Sequence, residues 1–222
     1  MCGRFTLTVD AHQIREAFPW ISVPENVQPR YNIAPSQPIA VVPNDRNNEL
    51  DYFVWGLVPS WAKDPNIGNR MINARGETVE EKPSFRAAFR RRRCLILADG
   101  FYEWKKEEGQ KAKTPFYIRM KNNKPFAFAG LWENWHAPDG SHILSCTIIT
   151  TQPNELLQEI HNRMPIILPE REYKNWLQPD EALVTELKPL LIPYPSEEMT
   201  AYPVSRLVNN PANESPSCIQ PQ

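Results

Sequence analysis

Residues 93–104 read RCLILADGFYEW: an apolar run, an Ala-Asp-Gly break and an aromatic run. β-Branched, leucine and aromatic residues suit a pleated, buried strand, and the Asp-Gly pair marks a break between two such strands. In the second strand alternate side chains take opposite faces. Phe101 and Glu103 therefore share one face, and Tyr102 and Trp104 the other. Glu103 is a carboxylate among aromatic rings, where desolvation would raise its pKa and fit it to carry protons. The plain alternative is an exposed glutamate at a strand end. Trp104 is either ordinary core or a platform for a stacked base.

The same strand pattern recurs outward in both directions, in FTLTV (5–9), IAVV (39–42), LDYFVWGL (50–57), PFYIRM (115–120), PFAFAGLW (125–132), ILSCTIIT (143–150) and MTAYPVSRLV (199–208). Helical patterns are fewer: DAHQIREAF (10–18), SFRAAFRR (84–91), NELLQEIH (154–161) and REYKNWL (171–177). In the third, Asn154 can cap the helix, and Leu156, Leu157, Ile160 and Met164 recur at helical spacing. Strands dominate and helices are scattered, which predicts an α+β fold around a curled antiparallel β-sheet with a barrel-like core. No repeat or linker divides the chain, so one domain is expected over residues 1–222. Its end, NNPANESPSCIQPQ (209–222), is polar and proline-rich and reads as a loosely ordered or strapped-on tail.

The 23 prolines against 8 glycines imply stiff loops between short strands. A net charge of −1 gives no bulk attraction to nucleic acid, so an anion site must be a local patch. Arginines cluster in the first half, most densely in FRRRRC (89–94), which is either a basic patch or a solvated helix end. The four cysteines, Cys2, Cys94, Cys146 and Cys218, form no C-x-x-C pair. Without a leader peptide or a long apolar run, a reducing cytoplasmic setting away from membranes is expected. No zinc-ligand spacing, phosphate loop or dinucleotide fingerprint is present, so neither metal nor cofactor is expected.

Three further segments carry chemistry. The chain begins MCGRFTL, and loss of Met1 would leave an α-amine and a thiol together on Cys2. Such a 1,2-aminothiol condenses with an aldehyde to an imine, which the sulfur closes to a five-membered thiazolidine. With pKa values of about 8 and about 8.5, both groups are usable near neutral pH. The bland alternative is a cysteine at a tolerant position. In NIGNRMINARGET (66–78), Asn73, Arg75 and Glu77 alternate, so an extended backbone would present them on one face, either solvated or a site. In EIHNRMP (159–165), His161 lies at a helix end beside Arg163. Helix C-termini favour a protonated imidazole, so His161 is a candidate proton carrier, though a lone histidine is commonly structural.

MCGRF, YNIAPSQ (31–37), VWGLVPSWA (54–62), INARGET (72–78), ADGFYEW (98–104), IHNRMP (160–165) and YPVSRLVNN (202–210) together resemble the SOS-response-associated peptidase family, in order and over nearly the whole chain. The resemblance implies a shield of abasic sites in single-stranded DNA. The exposed Cys2 would form a reversible thiazolidine crosslink with the sugar aldehyde once Met1 has left by self-cleavage or an aminopeptidase, with lyase-like release. It further implies that Asn73 orients the amine or aldehyde, that Glu103 is the acid/base, and that His161 carries a proton to the sugar oxygen. Arg4, Arg75 and Arg163 match phosphate-holding positions, Trp104 and Trp61 match aromatic positions near the bases, and Arg86 is a weaker DNA contact. A monomer is expected. Two other classes stay open: a thiol peptidase using Cys2 and His161, and a non-covalent single-strand binder.

Overall fold

The computed structural model describes residues 2–109, 112–179 and 184–222. In chain order the strands are β1 (Phe5–Leu7), β2 (Arg30–Ile33), β3 (Pro38–Pro43), β4 (Asp51–Trp55), β5 (Asn73–Arg75), β6 (Arg93–Ala98) and β7 (Gly100–Lys105). They continue as β8 (Thr114–Met120), β9 (Phe126–His136), β10 (His142–Thr151), β11 (Met164–Pro165), β12 (Ile167–Leu168) and β13 (Met199–Pro203). The helices are short: α1 (Ala11–Ala17), α2 (Arg86–Arg91), α3 (Glu155–Gln158), α4 (Tyr173–Trp176) and α5 (Val184–Leu187).

Five strands close a barrel in the order β3, β4, β10, β9, β6. Closure is possible because β9 is long: residues 126–131 pair with β6 and residues 130–136 with β10. The expected antiparallel sheet is corrected in one place. β10 runs parallel to β4 and to β5, so the barrel has one parallel seam. A second sheet, ordered β2, β1, β7, β8, β13, lies against the barrel. Its inner face is aromatic. Phe5 stacks edge-on against Trp55 and Phe128, and Phe101 packs on Phe128.

The Asp-Gly break is where the chain leaves the barrel at the end of β6 and enters the second sheet as β7. Asp99 ties this crossing to β1 by accepting from the Thr6 hydroxyl and from the amide and hydroxyl of Thr8. The following residue must be glycine, since a Cβ on Gly100 would lie 2.1 Å from the Tyr117 hydroxyl. Beyond the break, Phe101 and Glu103 face the barrel. Tyr102 and Trp104 belong to an outer cluster with Tyr117, Val204, Val208 and Cys218.

The tail is strapped on. Cys218 is fully buried, and Glu214 accepts from the amides of Tyr31 and Asn32 and pairs with Arg30. The arginine run is also corrected: only Arg90 and Arg91 are exposed. Arg92 reaches Glu133 at 2.7 Å. Arg93 is fully buried in β6, donating to the carbonyls of Phe89, Arg90, Trp176 and Gln178. Asn154 caps α3 by accepting from the Leu157 amide, but the helix ends at Gln158 and Met164 enters β11. No described helix is long and apolar enough to cross a membrane.

Candidate functional site

The antiparallel register of β1 and β7 sets Phe5 opposite Phe101 and Thr6 opposite Gly100. Continued toward the chain start, that register puts Gly3 opposite Glu103, with Cys2 beside it. The Tyr102 amide donates to the Arg4 carbonyl, which keeps the pairing intact that far. Asn73 approaches from the barrel side. It opens β5, which the parallel pairing with Ile148–Thr150 of β10 holds in place. Its Nδ2 donates to the Cys2 carbonyl at 2.8 Å. Its Oδ1 is buried with no hydrogen-bond partner among the described residues. An acceptor left bare in this way costs free energy unless something arrives to donate to it.

Cys2 is fully buried in the chain that still carries Met1. Burial, then the Glu103 carboxylate, push its thiol far above the ordinary range. Glu103 is 2% exposed, and burial pushes its carboxyl up to about 7. His161 Nε2 lies 3.8 Å from Glu103 Oε2, beyond hydrogen-bond length. The expectation of a protonated helix-end imidazole is corrected. Burial and then nearby positive charge lower the His161 pKa, so the neutral ring is favoured. Its Nδ1 accepts from the Arg163 amide at 3.1 Å. The proton of the neutral ring is thereby assigned to Nε2, the nitrogen facing Glu103. Both shifts favour an uncharged acid and an uncharged base over a salt bridge.

Glu103, Trp104, Lys113, His161 and Asn209 line an open groove of about 510 Å³. The Trp104 indole N–H donates to Asn209 Oδ1 at 2.8 Å. Of the arginines expected to hold phosphates, Arg75 is exposed on β5. Arg163 donates both terminal nitrogens to Glu77, at 2.6 and 2.9 Å, and its Nη2 also to the Thr150 carbonyl. Arg4 is spent on the strap, donating to Asn32 Oδ1 and to the carbonyls of Val208 and Asn209. Trp61 is 59% exposed in the loop between β4 and β5. Arg86 opens α2, exposed, and shares no hydrogen bond or ion pair with the cluster among the described residues.

Cys2, Asn73, Glu103 and His161 thus come together at one place, with Trp104, Arg75 and Arg163 around it, while Arg86 stays apart. Asn32 and Asn209 carry a sequence signal, lying in YNIAPSQ and YPVSRLVNN, but an asparagine by itself announces no chemistry there. Lys113 had none, being one exposed lysine among many.

Residues 1–211 match the family described as SOS response associated peptidase (SRAP). The chain is 50% identical over 223 residues to Abasic site processing protein YoqW of Bacillus subtilis (strain 168), covering 99% of each. It is 32% identical over 270 residues to Abasic site processing protein HMCES of Rattus norvegicus, covering 100% of this chain and 76% of that one. A crystal structure of a protein from Bacteroides thetaiotaomicron has the same fold, with a TM-score of 0.86 at 28% identity over 100% of both chains. A phage-related protein from Bordetella bronchiseptica gives 0.71 at 27% identity, covering 92% of this chain and 95% of that one. By the family match and by these relatives, the chain belongs to the SOS response associated peptidase family.

Proposed function

We propose that the chain processes abasic sites in single-stranded DNA by covalent capture of the opened sugar through Cys2, after Met1 is removed. The observation that carries this reading is the Cys2 backbone, held by Asn73 at 2.8 Å beside a carboxyl whose pKa lies near neutrality. The names of the relatives support the same substrate.

The chemistry balances with these groups alone. His161 Nε2–H gives its proton to the sugar ring oxygen as the hemiacetal opens, and the C1′ hydroxyl proton restores it. The Cys2 amine adds to C1′ to form a carbinolamine. Protonated Glu103 then donates to the departing hydroxyl, which leaves as water, and an iminium remains opposite the Glu103 carboxylate. That carboxylate takes the thiol proton while sulfur bonds to C1′, and the C=N electron pair returns to nitrogen. Aldehyde and aminothiol become thiazolidine and water, and Glu103 ends protonated as it began. Asn73 Oδ1 is the acceptor available to orient the amine. Trp104, Trp61, Arg75, Arg163 and Lys113 would hold the flanking bases and phosphates.

A thiol peptidase would need a ready thiolate, and burial beside Glu103 works against one. Mass spectrometry after incubation with a single-stranded oligonucleotide carrying one abasic site decides. A one-to-one adduct on Cys2, short by one water and absent in Cys2→Ser, is expected; an adduct mapping elsewhere, or none after Met1 loss, overturns the reading.

A further inference from the structure

Arg163 is one of the cations that the proposed DNA reading assigns to phosphate, yet its terminal nitrogens already hold a bidentate acid. Glu77 supplies both carboxylate oxygens, at 2.6 and 2.9 Å. This is the planar two-point geometry by which arginine also grips a phosphate. The pair is asymmetric. The Arg163 side chain is 16% exposed and anchored from below by the Thr150 carbonyl and hydroxyl, whereas the Glu77 side chain is 49% exposed. Glu77 also sits in the single turn Gly76–Thr78 directly after β5, so it follows Arg75 closely and shares its field. A phosphate reaching Arg163 must therefore take the place that Glu77 occupies, and the half-solvated partner is the one able to leave.

We propose that Glu77 is an internal stand-in for a DNA phosphate, a carboxylate gate that keeps Arg163 neutralised until the backbone of a single strand displaces it. The inference rests on the proposed DNA reading. It differs from a structural ion pair in its sign: removing the acid strengthens ligand binding instead of weakening it. It also makes Glu77 a determinant of specificity, because a ligand that cannot match the two-point geometry does not open the gate.

The test is equilibrium binding of an undamaged oligothymidylate, across a salt series, by the full chain and by Glu77→Gln, Arg163→Gln and the double variant. Glu77→Gln is expected to bind about threefold to tenfold tighter at moderate salt. The slope of log K against log salt should stay the same, because the bound strand places the same phosphate on Arg163 in both proteins. In the Arg163→Gln background the gain should vanish, because the cycle isolates the pair. Glu77→Ser, which also deletes the acid, should reproduce the gain. Weaker or unchanged binding by Glu77→Gln overturns the gate and makes Glu77 a support for Arg163. A gain that persists without Arg163 overturns it too, as general charge relief. Binding by the unaltered chain without a gain removes the gate alone, whereas no binding by any variant removes the DNA reading with it.

Discussion

The aminothiol chemistry proposed for Cys2 is suggested by MCGRFTL alone, whereas the groups that surround it, Asn73 and Glu103, are distant in sequence. Glu103 was half legible: its aromatic neighbours announced desolvation, and burial does raise its carboxyl to about 7. For His161 the helix-end argument is local, while the burial that lowers its pKa is tertiary. The raised carboxyl has a thermodynamic consequence. Folding favours the protonated form, so this contribution is complete below the ordinary value of 4.5 and is lost as pH rises through about 7. The difference corresponds to on the order of 3 kcal/mol for a group this buried. Glu103→Gln keeps the shape and removes the titration. Its melting temperature should rise relative to the unaltered chain as pH goes from about 5 to about 8, while adduct formation slows. A constant offset in melting temperature across that range would show that the carboxyl titrates normally.

At the scale of elements, the long strands were visible because their composition alone demanded burial. The junction of β6 and β7 was visible as a break. Its purpose was not, since the ring that forbids a side chain at Gly100 comes from β8. Tyr117 cannot retreat freely, being 3% exposed and bonded through its hydroxyl to Thr6 at 2.8 Å. Gly100→Ala should therefore cost about 3 kcal/mol by overpacking, read as a lowered midpoint in urea with little change in slope. An unchanged midpoint would mean that β7 and β8 separate more readily than their pairing implies. The elements that escaped the sequence are short or depend on distant partners. β5 has three residues and stands because of its parallel partner β10. The parallel seam leaves no local trace at all. Arg93 read as part of a solvated run because two of the carbonyls that bury it, from Trp176 and Gln178, lie more than eighty residues away in sequence.

Over the whole molecule, the candidate site is assembled from residues 2, 73, 103, 161 and 209, which no local pattern connects. Motif chemistry named four of them; only the fold brought them together. The strap that supplies Asn209 hangs on fully buried Asn32. Its amide nitrogen donates to the carbonyls of Val208, Asn210 and Asn213, and its oxygen accepts from Arg4. Asn32→Ala removes four hydrogen bonds at once, although Arg4 and the three carbonyls each keep another partner, at a cost of about 2–4 kcal/mol. Hydrogen exchange should then accelerate across residues 206–214 ahead of the barrel strands. Uniform acceleration over the whole chain would show that the strap has no separate anchorage. The bonds from Arg4 to Val208 and Asn209 also impose an order in time. More than two hundred residues of chain must follow Arg4 before its partners exist, so the side of the groove that Asn209 supplies is a late acquisition of a growing polypeptide.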